Sequence, residues 1–403
     1  MKILYLAPDW GLNLNMTGGA GTHMRGTVAG FLSHGHDVLP LIGGDIVFKK
    51  QGSLSSESSA THKNLVRNYV KKIIPTIIRL LMRDIRYYYR GRKLERIILK
   101  KIRAFKPDFI YERSAYMNTL GLCLSKKLNV PLFFESDGHI VDTYAQLYGV
   151  FSKKFAEYIE KKKLSGADKI VVMSENAITS IAKKYQEPIS KFSVKKLGVD
   201  ESAFVSDILY TDQLCTRFGL KEHFVVGFVA GQLQEYHGMS LLLNVAKQLQ
   251  EIRTDIIFFV VAGGNLAQVY EREANKKKLS NIIFHPLVPK DMVANYLSIF
   301  DLGITPDTIP HMYPIKIPEY GIVGLCPLAP NYPVFKKLFR FEGADHLLFD
   351  VGSETSLANK LCWLADNRVF VKEMGQKWKQ QVQREFTWST TVMPVLKAMG
   401  KCV

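Results

Sequence analysis

The chain has 403 residues, 47% of them apolar and 23% charged, a balance typical of globular proteins. This length exceeds what one hydrophobic core usually supports, so we expect two domains. The apolar runs fall short of the roughly 20 residues that a membrane-spanning helix needs, and we expect no secretory signal at the N-terminus. The five cysteines are scattered, odd in number and without metal-ligand spacing, which favours a cytoplasmic location and predicts no metal-binding residues.

The formal net charge of +17 is concentrated in one segment. Residues 64–105 carry thirteen basic side chains against two acidic ones, interleaved with isoleucine, leucine and tyrosine. A basic amphipathic helix of this kind favours binding to an anionic membrane surface. A packed helix with a solvated basic face is one alternative; a nucleic-acid-binding segment is another, although no nucleic-acid motif accompanies the charge. The candidate membrane-binding residues are Arg79, Arg83, Arg86 and Arg90.

Short apolar strands alternate with amphipathic helices, which predicts parallel sheets in an α/β architecture. Thr22 is predicted to cap a helix that ends near Ser33, and the glycine- and serine-rich residues from Gly43 to about His62 predict a loop. The predicted strands of the first half are Lys2–Ala7, His36–Leu41, Asp108–Tyr111, Pro131–Glu135, Lys169–Met173 and Phe192–Leu197.

The pattern then restarts, and two Rossmann-like halves are expected to meet near Val199–Thr211. In open parallel sheets, ligands bind beyond the carboxyl ends of the strands. Two such domains facing each other therefore predict a cleft that holds the chemistry. The predicted strands of the second half are Phe224–Ala230, Asp255–Ala262, Asn281–Phe284, Leu302–Thr305, Cys326–Ala329 and Leu347–Phe349.

Glycines between the first strand and the first helix form the first candidate cluster. At Gly18, Gly19 and Gly21 the backbone can approach a phosphate closely, and the helix N-terminus adds unpaired N–H groups. The spacing is not the G-x-G-x-x-G of dinucleotide binders, and a flexible connection is the alternative.

Two further clusters follow strands of the second half. In Pro314–Tyr320, a carboxylate at Glu319 can accept both hydroxyls of a ribose, while Lys316, a turn earlier, meets phosphate. A surface ion pair is the alternative here. The stretch Gly231–Gly238 follows the first strand of this half, and its position and glycines suit a diphosphate.

The fourth cluster, Glu135–His139, follows an apolar strand of the first half. Asp137 and His139 suit general-base or acceptor-hydroxyl contacts at the edge of a cleft. A structural histidine with its hydrogen bonds satisfied is the alternative for His139.

Taken in order, these clusters resemble the retaining glycosyltransferases of family 4, the glycogen-synthase-like group 1 enzymes with the GT-B fold. The resemblance covers nearly the whole chain, and the ordered set of motifs is more specific than any one of them. It rests on MKILYLAPDW…GGAGTHMR at the N-terminus and on residues 110–113, 130–135, 166–175, 197–200, 261–264, 296–306, 314–320 and 386–389.

The resemblance implies an α/β GT-B fold, with two Rossmann-like domains facing each other across a cleft. Residues 1–200 would form an acceptor-side domain with a basic amphipathic insertion at about 64–105. Residues 201–385 would bind the donor, a nucleotide-diphospho-sugar. Residues 386–403 would form a helix that crosses back to the first domain.

The resemblance also implies the roles of single residues. Asp137, His139 and Glu319 would be catalytic, and the enzyme would need neither metal nor cofactor because positive side chains and a helix dipole neutralise the leaving diphosphate. The acceptor-side residues would be His23, Glu112, Arg113 and Glu135, and the donor-binding residues Gly18, Gly19, Gly21, Gly231, Gln232, His237, Pro314, Ile315, Lys316 and Glu319.

The chain departs from the family pattern at three places. The first acidic residue of E-x-x-x-x-x-x-x-E is His311, and the Arg and Lys of G-R-L-x-x-x-K-G are Gln232 and His237. A position often held by histidine is Asp137. Gln232, His237 and His311 motivate one alternative, a non-catalytic GT-B partner protein.

The function expected from the sequence is that of a hexosyltransferase. It would be cytoplasmic and peripheral on the inner face of the membrane, in polysaccharide biosynthesis. It would transfer a sugar, with retention of configuration, to a lipid-linked or cell-surface polysaccharide acceptor. A nucleotide-sugar epimerase is a second alternative from another class.

Overall fold

The computed structural model describes residues 1–16, 18–50, 75–310 and 313–400. These residues form two compact units. The first comprises Met1–Met16, Val28–Lys195 and Val392–Val403, and the second comprises Thr17–Thr27 and Lys196–Thr391. Residues 64–74 of the basic segment, and also His311, lie outside the described ranges.

The first unit is built on a six-stranded parallel sheet with the order β2-β1-β3-β4-β5-β6. Leu4 of β1 pairs with Leu39 on one side and with Ile110 on the other. The inner strands are buried along nearly their whole length, as expected where helices cover both faces. The strands are β1 (Lys2–Ala7), β2 (Asp37–Ile42), β3 (Phe109–Arg113), β4 (Leu132–Glu135), β5 (Lys169–Val172) and β6 (Phe192–Val194).

Helices α1 to α7 follow in chain order, and the first turns of α1 belong to the second unit. Ser152 and Ser174 cap α6 and α7, each accepting from a backbone N–H of the first turn. The helices are α1 (Gly19–Ser33), α2 (Gly43–Lys50), α3 (Thr76–Phe105), α4 (Leu120–Leu128), α5 (Ile140–Tyr148), α6 (Lys153–Gly166) and α7 (Glu175–Tyr185).

The second unit carries another six-stranded parallel sheet, with the order β12-β11-β10-β7-β8-β9. Its core packs Phe228 and Val260 of the sheet against Leu242 and Leu361 of the helices, all of them fully buried. The strands are β7 (Phe224–Ala230), β8 (Ile256–Ala262), β9 (Ile282–Pro286), β10 (Leu302–Ile304), β11 (Cys326–Pro330) and β12 (Leu348–Phe349).

Nine helices complete the described part of the chain. Asp207 caps α8 by accepting from the N–H groups of Leu209 and Tyr210, and Gly219 ends it in a left-handed conformation. The helices are α8 (Ile208–Phe218), α9 (Met239–Leu249), α10 (Asn265–Lys276), α11 (Val293–Ser298), α12 (Lys316–Ile322), α13 (Pro333–Leu338), α14 (Glu354–Asp366), α15 (Arg368–Glu385) and α16 (Trp388–Met399).

Two local predictions are wrong. Helix α1 begins at Gly19, so Thr22 lies inside its first turn, where its N–H donates to the Gly18 carbonyl. The predicted loop begins instead as helix α2, and its remainder lies outside the described residues. Glycine lowers helix propensity by only about 1 kcal/mol relative to alanine, a cost that tertiary packing outweighs at both places.

Within the described ranges, no helix combines the length and the apolarity needed to cross a bilayer.

Candidate functional site

The strand order of the second sheet reverses between β7 and β10, which opens a crevice at its carboxyl edge. The turn after β7 begins at Gly231, and Asp307 lies in the segment after β10. Gly238 brings the two together: its φ is +70°, and a Cβ there would lie 2.9 Å from the Asp307 backbone nitrogen. Tyr332 Oη fixes the Asp307 carboxylate with a 2.9 Å hydrogen bond. The candidate donor site is therefore built at the switch point of the sheet.

Lys316 is the first residue of α12 and is 5% exposed. Its Nζ lies 3.8 Å from the centre of the Phe228 ring and has no hydrogen-bond partner among the described residues. Burial lowers the pKa of Lys316 to about 7, although the negative charge of Glu319 opposes the shift. A buried ammonium without a hydrogen-bond acceptor is costly, so this nitrogen is suited to receiving an anion.

Glu319 is half-buried in the first turn of the same helix. Burial raises its pKa to about 7, against the positive charges of Lys290 and Lys316. Burial and the nearby Arg25 in turn lower the pKa of Lys290. A carboxyl group and two amines thus share one partly dry environment next to a helix N-terminus.

His237 is buried at the end of a single 3-10 turn, Glu235–His237. Its Nδ1 accepts a 3.1 Å hydrogen bond from the Gln234 N–H. Burial, together with the positive charge of Lys316, lowers the pKa of His237 to about 3. The imidazole is therefore neutral, with its proton on Nε2, and can offer one N–H donor but no charge.

The N-terminal glycine segment packs against the turn after β7 within the second unit. A Cβ on Gly231 would lie 3.2 Å from the Gly18 Cα, and one on Gly19 would lie 3.6 Å from Ile315 Cγ2. Five predicted donor-site residues are thus neighbours: Gly18, Gly19, Gly231, Ile315 and Lys316.

The remaining donor-site predictions lie around this group. Gly21 is buried inside α1, and Pro314 is half-buried just before α12. Gln232 is exposed and lies next to Gly264, where a Cβ would be 3.0 Å from Gln232 Cγ. The side chain of Gln232 therefore lies at the surface.

Three of the predicted acceptor-side residues are buried against protein groups. His23 is stacked on Trp388 with ring centres 5.9 Å apart. Glu112 Oε1 accepts from the Gly121 N–H at 3.0 Å. Glu135 lies 3.2 Å from the Lys195 ammonium, and both side chains are almost fully buried. These side chains support their surroundings, and their assignment to the acceptor side stays a prediction.

Arg113, at the end of β3, pairs with Asp137 after β4. Its guanidinium lies 3.5 Å from Asp137 Oδ2, a carboxylate that is about one-quarter exposed. His139 Nε2 is hydrogen-bonded to Ser180 Oγ, and its Nδ1 lies 3.9 Å from Asp142. Burial and Lys184 lower the pKa of His139. The geometry favours the structural alternative for His139 and leaves Asp137 as the accessible polar group.

The four predicted membrane-binding arginines lie on α3 in different surroundings. Arg86 is exposed, and Arg79 donates to Thr76 Oγ1 at 2.9 Å. Arg83 pairs with Asp84 at 2.7 Å and also donates to backbone carbonyls at positions 148 and 149. Arg90 lies between two aromatic rings. Arg83 and Arg90 therefore make contacts inside their own unit.

A set of exposed apolar side chains lies beside these arginines. The sequence analysis placed apolar and aromatic residues on the basic segment but did not identify those that α5 and α6 add. Tyr88 of α3 contacts Phe155 of α6 with ring centres 6.0 Å apart, and the Phe151 N–H donates to Asp84. These contacts join α3 to the α5–α6 segment. We name the joint surface the lipid face; it comprises Ile78, Met82, Ile85, Tyr89, Leu147, Tyr148, Phe151, Phe155 and Tyr158.

Two stretches of the sequence already carry a pattern that indicates the lipid face. Ile78, Met82, Ile85 and Tyr89 recur at helical spacing, and the stretch Leu147–Tyr158 mixes aromatic residues with lysines. Only the tertiary contact between the two stretches shows that they belong to one surface.

Among the described residues, no three or more His, Cys, Asp or Glu side chains come together as metal ligands.

Two family models match adjoining parts of the chain. The model described as Glycosyltransferase Family 4 matches residues 17–203, and the model described as Glycosyl transferases group 1 matches residues 217–384. The comparison with curated proteins gives no match.

Similar solved structures cover nearly the whole chain. A sucrose-phosphate synthase from Thermosynechococcus elongatus superposes with a TM-score of 0.74 at 13% identity, covering 100% of this chain and 99% of that one. Anabaena Alr3699/HepE in complex with UDP and glucose gives 0.65 at 14%, covering 99% of both chains. WaaG, a glycosyltransferase involved in lipopolysaccharide biosynthesis, gives 0.61 at 12%, covering 100% of this chain and 99% of that one.

The two family models together match parts of both units. The two parallel sheets with their flanking helices match the layout of the solved glycosyltransferases. The chain therefore belongs to the group 1 glycosyltransferases of family 4 and has the GT-B fold.

Proposed function

We propose that this glycosyltransferase moves a hexose from a nucleotide-diphospho-sugar to a lipid-linked or cell-surface polysaccharide acceptor. The reaction retains the anomeric configuration, uses neither metal nor cofactor, and takes place at the cytoplasmic face of the membrane.

The observation that carries the donor proposal is the buried Lys316 ammonium, for which the described part of the chain supplies no hydrogen-bond partner. It lies at the N-terminus of α12, near the glycine turn after β7 and at the switch point of the sheet. An anion there would pair with the ammonium in a dry site, where a charged hydrogen bond is strong. A diphosphate fits because it brings several oxygens to the glycine backbone and to the His237 Nε2–H together.

The nucleotide part of the proposal rests on Glu319 and on a structural neighbour. Structures of Anabaena Alr3699/HepE contain UDP, UDP with glucose, or UDP-glucose. By analogy, we assign a uridine nucleotide as the first donor to test here. The Glu319 carboxylate would accept the ribose hydroxyls, three residues after the lysine that meets the phosphates.

The proposed catalysis consists mainly of stabilising the leaving diphosphate. Lys316 supplies a positive charge, whereas Gln232 and His237, at the positions of the family's Arg and Lys, supply none, and His237 contributes a neutral N–H. Preorganised donors of this kind are worth about 2.7–4 kcal/mol each in other enzymes. Asp137, held by Arg113, remains the candidate group for the acceptor hydroxyl.

The acceptor proposal rests on the lipid face and its charge. Its nine apolar side chains are 43–62% exposed. Exposed lysines flank it on α6, and Arg86 lies on α3. Aromatic residues combined with cations suit the interface of an anionic bilayer. WaaG, which shares the fold, is involved in lipopolysaccharide biosynthesis, and a lipid-attached glycan is the acceptor class that this surface supports.

A non-catalytic GT-B partner protein is the second candidate. It is favoured by the exposed Gln232 and the neutral His237, which together supply no charge to a diphosphate. Such a protein would bind a nucleotide sugar, or a partner, without turnover.

Thermal shift of the purified protein against nucleotide diphosphates and nucleotide sugars tests the donor proposal. A ligand at a hundredfold excess over its Kd adds about 2.7 kcal/mol to the stability. We expect a shift with one nucleotide and a clearly smaller shift in Glu319→Ala and in Lys316→Met. No shift with any nucleotide would refute the donor site. A shift without release of nucleotide diphosphate, across candidate lipid-linked acceptors, would favour the non-catalytic candidate.

A further inference from the structure

We propose that the second unit carries a binding site for a neutral glycan chain, in a polar groove of about 450 Å³ along helix α14. The binding does not depend on the proposed function; only the identity of the chain, as the polysaccharide that this enzyme extends, rests on it. We name the site the glycan groove. It is lined by the turn at residues 350–353 and by Thr355, Ser356, Asn359, Lys360 and Trp363.

The glycan groove lies at the edge of the second sheet, away from its switch point. β12 is the edge strand, and β11 lies between it and β10. The turn at residues 350–353 follows β12 directly, and α14 begins at Glu354. Lys316 and Glu319 of the donor site belong to α12 and do not line the groove. The groove is therefore a separate site on the same unit.

Helix α14 presents one face to the core and another to the groove. Leu357 and Leu361 are fully buried in the core of the second unit. Thr355, Asn359 and Trp363 recur every fourth residue, a spacing that places them on one face, and all three are exposed. Packing of the apolar face fixes the helix, so the polar face is available to a ligand.

Hydrogen bonds within the turn fix the other wall of the groove. The Asp350 N–H donates to Ser356 Oγ at 2.9 Å, and the Ser356 N–H donates to Ser353 Oγ at 3.1 Å. Gly352 permits the turn between them with a φ of +70°. Because Ser356 Oγ accepts from the backbone, its own O–H remains as a donor for a ligand.

Trp363 supplies the apolar surface of the groove. It is 37% exposed, although a large aromatic side chain usually gains from full burial. The His346 ring is stacked on it with ring centres 4.9 Å apart, and Phe370 meets it edge-on at 5.1 Å. These two rings hold the indole in place, so little side-chain freedom would be lost on binding. The indole is thus a preorganised platform for the C–H side of a sugar ring, since aromatic faces attract positively polarised C–H groups.

The charges of the groove favour a neutral ligand. Its charged side chains are one carboxylate, Asp350, and one ammonium, Lys360. Phosphates and other anions are recognised by charged hydrogen bonds from cations, and here the carboxylate offsets the single ammonium. Hydroxyls, an amide and an indole are instead the groups that pair with sugar hydroxyls and stack on sugar rings. From Thr355 to Trp363 the helix rises about 12 Å, which gives the groove room for more than one sugar unit.

Saturation-transfer NMR of the full chain with four neutral hexasaccharides (malto-, cello-, manno- and chitohexaose) tests the groove, and titration of those that bind gives their Kd values. Trp363→Ala should weaken binding by about tenfold or more, because the largest apolar contact is lost. Asn359→Ala should weaken it by about two- to tenfold, the effect of one hydrogen bond. Gln380→Ala is the matched control: it removes an exposed amide from α15, outside the groove, and should change nothing.

Thermal unfolding of each variant separates lost binding from lost folding. Trp363→Phe keeps an aromatic ring and should bind the hexasaccharides more tightly than Trp363→Ala does. Asn359 is exposed, so Asn359→Ala should unfold at the same temperature as the unaltered protein. These two variants keep the test decisive if Trp363→Ala does not fold.

The outcomes also separate the glycan groove from the donor site. Lys316→Met should weaken the nucleotide response and leave hexasaccharide binding intact, whereas Trp363→Ala should do the reverse. If none of the four hexasaccharides binds, or if they bind equally well to the groove variants and to the unaltered protein, the glycan groove is wrong. A dimer that Trp363→Ala converts into a monomer would assign the groove to a second copy of the chain and would also overturn the proposal.

Discussion

The Lys316 ammonium lies 3.8 Å from the centre of the Phe228 ring, at the head of a helix. The ring face stabilises a cation, but it supplies none of the acceptors that the three N–H bonds have in water. Among the described residues none supplies such an acceptor, and a bound oxyanion would supply one.

Replacing this lysine should separate binding from stability. Lys316→Met is expected to weaken nucleotide-diphosphate affinity by about 10- to 150-fold, corresponding to one charged hydrogen bond of about 1.5–3 kcal/mol. The unliganded variant should be no less stable than the original, because a buried cation is exchanged for an apolar chain of similar size. Calorimetry and urea unfolding measure the two effects. Lys336→Met, at an exposed position on α13, is the control and should change neither. A clear loss of unliganded stability in Lys316→Met would contradict this account.

The pH dependence of stability follows from the two shifted groups. Glu319 has its pKa raised from 4.5 to about 7, so the folded state binds more protons between those values and stability falls as the pH rises. Lys316 has its pKa lowered from 10.5 to about 7, so the unfolded state binds more protons above pH 7 and stability then rises. The contribution of the pair should reach its minimum near pH 7.

The measurement is the free energy of unfolding against pH for the unaltered protein, Glu319→Gln and Lys316→Met. Glu319→Gln should remove the fall between about pH 4.5 and 7, and Lys316→Met should remove the rise above pH 7. Parallel curves for all three proteins would show that neither group titrates as described.

The buried ion pair of the first unit predicts a strong non-additive effect. Glu135 and Lys195 are 3.2 Å apart and almost fully buried. Lys195→Met should destabilise the protein by about 3–5 kcal/mol because it leaves the buried Glu135 carboxylate without its ammonium partner. The double variant Glu135→Gln with Lys195→Met should recover much of that loss. Urea unfolding of the four proteins in this cycle gives the coupling energy, and additive single effects would contradict it.

We expect the lipid face to bind anionic vesicles through apolar burial and through charge attraction. Phe151→Ser combined with Phe155→Ser should reduce binding to anionic vesicles by about tenfold or more, since burying one such side chain contributes about 1.5–3 kcal/mol. Arg86→Glu should reduce binding mainly at low salt, where charge attraction is least screened.

Vesicle co-sedimentation measures both effects. Val369→Ser is the control, because Val369 is 83% exposed but lies in the second unit, away from the lipid face. Unchanged sedimentation in the double phenylalanine variant would remove the lipid face from the proposal.

The sequence allowed the twelve strands to be predicted, with ends that differ by a few residues at most. Apolar runs bounded by glycine, proline and charged residues mark buried parallel strands, and this signal is local. The start of α1 was missed because glycine suggests a break, whereas tertiary contacts keep Gly19 and Gly21 helical. Local propensity determines the backbone conformation only where tertiary packing does not override it.

The site was predictable where its residues are close in sequence. Lys316 and Glu319 lie on one helical turn, so their proximity follows from spacing alone. The Glu135–Lys195 pair was not predictable, because it joins two segments separated by 59 intervening residues and depends on the strand register.

Each of the two units is built from separate stretches of the chain. The chain passes between the two units at residues 16–17, 27–28, 195–196 and 391–392. A fragment ending at Lys195 would carry residues 17–27 without Gly231, Ile315 and Trp388, which they contact. Neither half is therefore a contiguous, exchangeable block. Exchange of the second unit between relatives would therefore have to transfer residues 17–27 together with residues 196–391.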